Sequence, residues 1–163
     1  MRSLTTRQTT RLFSLALLTL AFGLVQAQAK TDFSGTWKLN ASKSDFGPMP
    51  PPDTRTDKIT HQDPSLKATV ASTGGMGGDM TYDVSYTTDG KECVNKMGDN
   101  EFKSTLKWDG DDLTVDTKGS FGGNDFTAKA RWTLSADGKT LTVTTHFSSA
   151  MGEGDVKEVF DKQ

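Results

Sequence analysis

From Phe33 onward the chain alternates apolar and polar residues with a period of two, a pattern that suits half-buried strands and excludes most alternatives. Asn100 through Trp108, Asp125 through Trp132 and Lys139 through Thr144 show it plainly. Thr, Val, Tyr, Phe and Trp recur at strand positions, and no apolar stripe of helical spacing interrupts them. These signals mark about ten strands, over 33–40, 55–62, 66–72, 79–87, 91–97, 101–108, 112–118, 125–135, 139–147 and 155–162. Connections this short leave no room for parallel crossovers. The expected fold is all-β: an antiparallel up-and-down meander of about ten strands closing into a β-barrel.

The connections sort into two kinds. Asp63-Pro64-Ser65, Asp89-Gly90, Asp109-Gly110 and Asp137-Gly138 are tight polar turns. Alternating with them come the Gly-rich stretches 73–78, 98–99, 119–123 and 148–154. Successive turns of a meander lie at opposite ends, so the tight turns share one end and the loose loops the other. The long Pro-rich connection Ala41–Thr54 falls at the loose end. Phe46, Met49, Met76, Met97, Phe121 and Met151 lie in or beside these loops, and they form either an apolar mouth or a plug that folds back on the core. Phe33, Trp37, Trp108, Trp132 and Leu134 belong at the tight end, as a floor. Ser104, Thr117, Ala128, Ala130 and Thr145 leave the middle of the barrel small-walled, which implies a cavity.

Residues 1–29 read as a secretion signal, with Arg2, Arg7 and Arg11 before an apolar run and Ala27-Gln28-Ala29 as the cleavage pattern. One barrel domain, residues 30–163, is expected to remain, periplasmic or secreted and without a stable membrane anchor. It holds 16 basic and 21 acidic side chains, a net charge of −5. That balance disfavours nucleic acid as a partner. The lone Cys93 excludes an internal disulfide and reads as a small buried apolar residue.

The first strand, with Phe33, Gly35, Trp37, Lys38 and Leu39, and the last, Glu158-Val159-Phe160-Asp161-Lys162, together resemble the calycin group of lipocalins and fatty-acid-binding proteins. Within it, the chain is most similar to exported bacterial lipocalin-like proteins. The fatty-acid-binding branch opens with F-x-G-x-W-K-L and closes with R-x-Y-E-K. The resemblance implies a ten-stranded barrel around a small lipophilic ligand. Two departures qualify it. The family's two lid helices have no counterpart in the short, Pro-rich stretch Ser42–Pro52, so no lid helices are expected. Glu158 and Phe160 stand where the family's Arg and Tyr hold a ligand carboxylate. If Val156 and Phe160 face inward, Glu158 does too and favours a neutral or cationic ligand. The opposite facing puts Lys157 and Asp161 inside.

No constellation for catalysis or metal binding emerges. His61 and His146 are far apart in sequence and read as surface or rim residues. G-x-S-x-G is absent, Asp109, Asp111 and Asp112 belong to a turn, and the Gly-rich stretches lack the features of a phosphate loop. The expected protein is therefore a monomeric, exported, non-enzymatic barrel without a cofactor. It would bind a small apolar or amphipathic molecule, and not a fatty acid by the family's carboxylate mode. The candidate binding residues are Phe46, Met76, Tyr82, Phe102, Phe121, Phe126, Ala128, Ala130, Phe147, Met151 and Glu158. The alternative is a protein-interaction or inhibitor-like module that docks an exported partner through its Gly/Met-rich loops.

Overall fold

The computed structural model describes residues 30–75 and 77–163. The expected signal, residues 1–29, and Met76 lie outside them. Ten strands form one antiparallel sheet: β1 (Gly35–Leu39), β2 (Pro52–Gln62), β3 (Ser65–Gly74), β4 (Met80–Thr87), β5 (Asp89–Met97), β6 (Asn100–Asp109), β7 (Asp112–Phe121), β8 (Asn124–Leu134), β9 (Thr140–Ser149) and β10 (Gly152–Lys162). Each strand pairs with its neighbour in sequence except at one place. β1 also pairs with β10, Trp37 opposite Lys162 and Leu39 opposite Phe160, so the two ends of the domain meet. Among the described residues the sole helical element is one 3-10 turn, Ala41–Lys43. None of these residues forms a helix long and apolar enough to cross a membrane.

The barrel is nearly closed. β4 and β5 are the two edges of the sheet and share no ladder. Asn95 bridges the gap by imitating a ladder residue: its Oδ1 accepts the Ser85 N–H at 2.7 Å and its Nδ2 donates to the Ser85 carbonyl at 3.1 Å. Cys93 Sγ accepts the Thr87 N–H at 3.2 Å, so this residue is a half-buried bridge and not a core thiol. The expected Asp89-Gly90 hairpin turn is absent. Thr88 N–H donates to the Pro64 carbonyl at 2.9 Å and Thr88 Oγ1 to Asp63 Oδ1 at 2.6 Å, which ties this turn to its β2–β3 neighbour. Gly90, with φ of 82°, sits instead in a register shift at the start of β5.

The tight turns do gather at one end, beneath an aromatic floor. Phe33 is fully buried, stacked on Trp108 at 6.1 Å and edge-on to Trp132 at 6.0 Å. Trp37 is also fully buried, and its Nε1–H donates to the Phe33 carbonyl at 2.9 Å. Gly35 completes the G-x-W pair because its φ of 148° is a conformation that residues with a Cβ rarely adopt. Lys162 covers the pair, its ammonium 5.1 Å from the centre of the Trp37 ring.

His61 corrects the expectation of a surface histidine. Its side chain keeps 2% exposure, and its ring lies 5.9 Å from Phe33 and 5.8 Å from Trp108. Strand parity explains the burial: Asp57, Ile59 and His61 all point inward from β2. Nδ1 accepts the Phe33 N–H at 3.3 Å, which locks the N-terminal segment onto the floor. His146 does face outward, with Nδ1 2.9 Å from Asp155 Oδ1.

Two outcomes follow from the floor. Truncating Phe33 to Ala removes a fully buried ring from a packed site and is expected to cost about 3–5 kcal/mol, measured as the shift in urea unfolding free energy. Asp63 gives a pH signature. The Thr88 hydroxyl, helped by Trp108 Nε1–H at 2.9 Å, holds its carboxyl below the ordinary 3.8. A carboxyl depressed on folding stabilises above its unfolded pKa, and that stabilisation is lost as pH falls through the folded value. Asp63→Asn is therefore expected to be less stable than the parent at neutral pH, with the gap narrowing below about pH 4. Urea midpoints at neutral and acidic pH measure it.

Candidate functional site

Above the floor the inward side chains shrink. Ser104, Thr117, Ala128, Ala130 and Thr145 line the middle of the barrel, with Ser104 and Thr117 hydroxyls 2.9 Å apart across β6 and β7. On the β6–β8 side, Phe102 and Phe126 fill part of the space as a tilted pair 5.7 Å apart. Gly119 makes that pair possible, since a Cβ there would stand 2.5 Å from Phe102 and 3.0 Å from Phe126. The remaining room, about 270 Å³, lies between β2–β4 and β9–β10. Val70, Tyr82, Thr145 and Val156 form its walls, and Arg55 from β2 and Glu158 from β10 line it as a paired couple.

The loop between β1 and β2 roofs this cavity without helices. Asn40 caps the 3-10 turn, and Asp45 then exchanges two backbone hydrogen bonds with Lys157 at 2.8 and 2.7 Å. That bridge lays the Pro-rich stretch along the upper half of β10. Pro48 rests on Gly154, where a Cβ would lie 3.1 Å from the proline ring and 3.2 Å from Phe147. Phe46 and Met49, half-buried, then overhang the cavity together with Met80.

The polar part of the cavity is an ion cluster. Arg55 grips Asp57 with two parallel bonds, Nε to Oδ1 and Nη2 to Oδ2, each 2.9 Å. Its Nη1 donates to Glu158 Oε1, also at 2.9 Å. The guanidinium carbon lies 5.3 Å from the centre of the Phe160 ring. Side-chain exposures are 24% for Arg55, 10% for Asp57 and 16% for Glu158. Burial opposes the guanidinium charge, but Glu158 and Asp57 outweigh it and hold its pKa above the usual arginine value. Burial raises the Tyr82 phenol, with Arg55 opposing and both carboxylates adding to the rise. Burial, with Tyr82 beside it, pushes the Tyr86 phenol up to about 12.

The expected site residues are only partly brought together. Phe46, Tyr82 and Glu158 meet at this cavity. Glu158 faces inward with Val156 and Phe160, which resolves the two facings of β10. Ala128, Ala130 and Phe147 also point inward, and Phe102 and Phe126 pack on each other beside the cavity. Phe121 and Met151 do not join them. They stand at hairpin tips beyond the barrel wall, 46% and 77% exposed. Met76 falls outside the described residues.

Arg55 and Asp57 are the members that a local sequence pattern does not pick out. The usable signal was parity: Ile59 faces the core, and two and four residues earlier lie Asp57 and Arg55. A larger concavity, about 710 Å³, is an open trough on the outer face of β7–β10. One cross-strand row of it runs Asp116, Lys129, His146 and Asp155.

Comparison with known proteins defines the fold. No protein-family model and no curated protein matches the sequence. Among solved structures, the chain is similar to zebrafish ileal bile acid-binding protein complexed with cholic acid. The identity is 18% and the TM-score 0.59, covering 82% of this chain and all of that one. It is similar to secretory abundant heat soluble protein 4 of Ramazzottius varieornatus at 16% identity and TM-score 0.57, covering 84% and 99%. A Schistosoma mansoni fatty acid binding protein in complex with arachidonic acid aligns at 14% identity and TM-score 0.51, covering 80% and 96%. The protein thus has the calycin-type, fatty-acid-binding-protein-like barrel fold, ten antiparallel strands in a nearly closed meander.

Arg55 offers a direct test of the cluster. Arg55→Met leaves Asp57 and Glu158 as neighbouring carboxylates with no cation between them. We expect a loss of about 3 kcal/mol, the low end for breaking a buried pair because the site keeps some solvent access. Acidification should return part of that loss, since protonating one carboxyl relieves the repulsion. Unfolding free energies of variant and parent at two pH values measure both effects.

Proposed function

We propose that the protein is an exported, non-enzymatic barrel that holds one small apolar or amphipathic molecule in the cavity beneath the β1–β2 loop. The observation that carries this reading is an apolar-walled cavity containing one buried ion cluster under a loop roof. Apolar walls supply burial energy, about 25 cal/mol per Å², while a few fixed polar groups orient the guest. The fold neighbours support it: two were solved with cholic acid or arachidonic acid. The leader at residues 1–29 supports export to the periplasm or beyond.

The guest is not a fatty acid held by its carboxylate in the manner the family resemblance implies. Glu158 and Phe160 occupy those closing-strand positions, and the nearby Arg55 is engaged by two carboxylates.

Native mass spectrometry of protein purified from its own host tests this reading. The expected spectrum shows a monomer carrying a small-molecule adduct and beginning at Lys30. Ser72→Trp, which places an indole in the cavity, should lose the adduct while keeping its fold. An adduct-free parent that also ignores a panel of lipophilic molecules would overturn the reading.

The exposed Phe121 and Met151 favour a second reading, a module that docks an exported protein partner through these tips. A partner captured from the host's exported fraction by the parent, and lost with Phe121→Ser and Met151→Ser, would support that reading instead.

A further inference from the structure

We infer that the polar end of the guest is a cationic nitrogen group, an ammonium or amidinium, received by Glu158. The inference rests on the small-molecule reading above and names the ligand class for that cavity.

Charge comes first. The cluster holds one guanidinium and two carboxylates, a net charge of −1, and Arg55 is the one basic residue lining the cavity. A bound carboxylate would bring a third negative charge to a single guanidinium, where low solvent access magnifies the repulsion. A bound cation brings the group to neutrality. Burial of charge is tolerated when it is paired in this way.

The arrangement of atoms agrees. Both Asp57 oxygens are taken by Arg55. Glu158 gives Arg55 only Oε1, and no described residue donates to its Oε2. Three of the guanidinium's five N–H groups are engaged by carboxylates, and its single positive charge is already outnumbered by their two negative ones. The Tyr82 hydroxyl has no hydrogen-bond partner among the described residues and lines the same cavity. It can accept a second N–H from the guest, and burial favours its neutral form. The rings of Tyr82 and Phe46 add aromatic surface that attracts cations.

Size and lining set the rest of the molecule. At about 270 Å³ the cavity lies just below the usual range for small-molecule sites. Val70, Val156, Met49 and Met80 offer apolar contact to a compact body. The ligand class is a small amphipathic amine.

Titration calorimetry at neutral pH with octylamine, octanol and octanoate, three molecules of one tail and different heads, tests the inference on the full exported chain. Octylamine is expected to bind at least about tenfold more tightly than octanoate, and added salt should shrink the difference. Glu158→Gln should bring the octylamine and octanoate affinities to within about twofold of each other. Equal affinities across the series, or tightest binding of octanoate, would overturn the head-group inference and leave the binding barrel standing. Failure of all three to bind would overturn both. Should Glu158→Gln not fold, as judged by its melting curve, the order of the three affinities in the parent decides alone.

Discussion

The structure depends on the burial of Phe33 at the point where the two ends of the domain meet. β1 is only five residues long and could not hold β2 and β10 together by its ladder alone. Phe33 precedes it as a wedge among Trp108, Trp132 and His61. The carbonyl of Phe33 receives Trp37 Nε1–H, and its amide donates to His61 Nδ1. Three distant strands are thereby fixed to one residue, and closure of the barrel follows from packing the floor. The gap between β4 and β5, on the opposite side of the sheet order, is bridged by the side chains of Asn95 and Cys93.

A filled floor confines the free volume to the loose end, and there the sheet tolerates what the floor could not. Arg55, Asp57 and Glu158 occupy the border between aromatic floor and cavity. Desolvating three charges is costly, and apolar residues in their place would be as stable or more so. The cluster's members belong to β2 and β10, strands separated by β1 lower in the barrel and spanned at this height by the β1–β2 loop. The Arg55–Glu158 pair thus braces the wall where the backbone ladder is interrupted.

Much of this architecture could be seen in the sequence because a period of two is a local signal. It placed ten strands, sorted the turns to two ends and put the three tryptophans on one floor. Failures came where a distant contact overrode a local preference. Asp89-Gly90 has hairpin chemistry, but Thr88 is held by the β2–β3 turn. His61 looks like a lone polar residue until its parity with Ile59 is counted. Phe121 shares the inward parity of its strand, yet it stands opposite Asn124 on the last rung, past the cavity. Arg55 and Glu158 are 103 residues apart, and no local pattern announces such a pair.

The departures from the fatty-acid-binding pattern are coupled. Where that pattern has two lid helices, a short loop pinned on β10 at Lys157, one residue from Glu158, covers the mouth. That loop overhangs a cavity of about 270 Å³ with Phe46 and Met49. On the closing strand, Glu158 and Phe160 stand where that pattern has an arginine and a tyrosine. The guanidinium of this chain rises instead from β2 and spends its donors on protein carboxylates. Roof, volume and charge therefore point the same way. The barrel shares the shape of those folds, while its interior carries two carboxylates to one guanidinium.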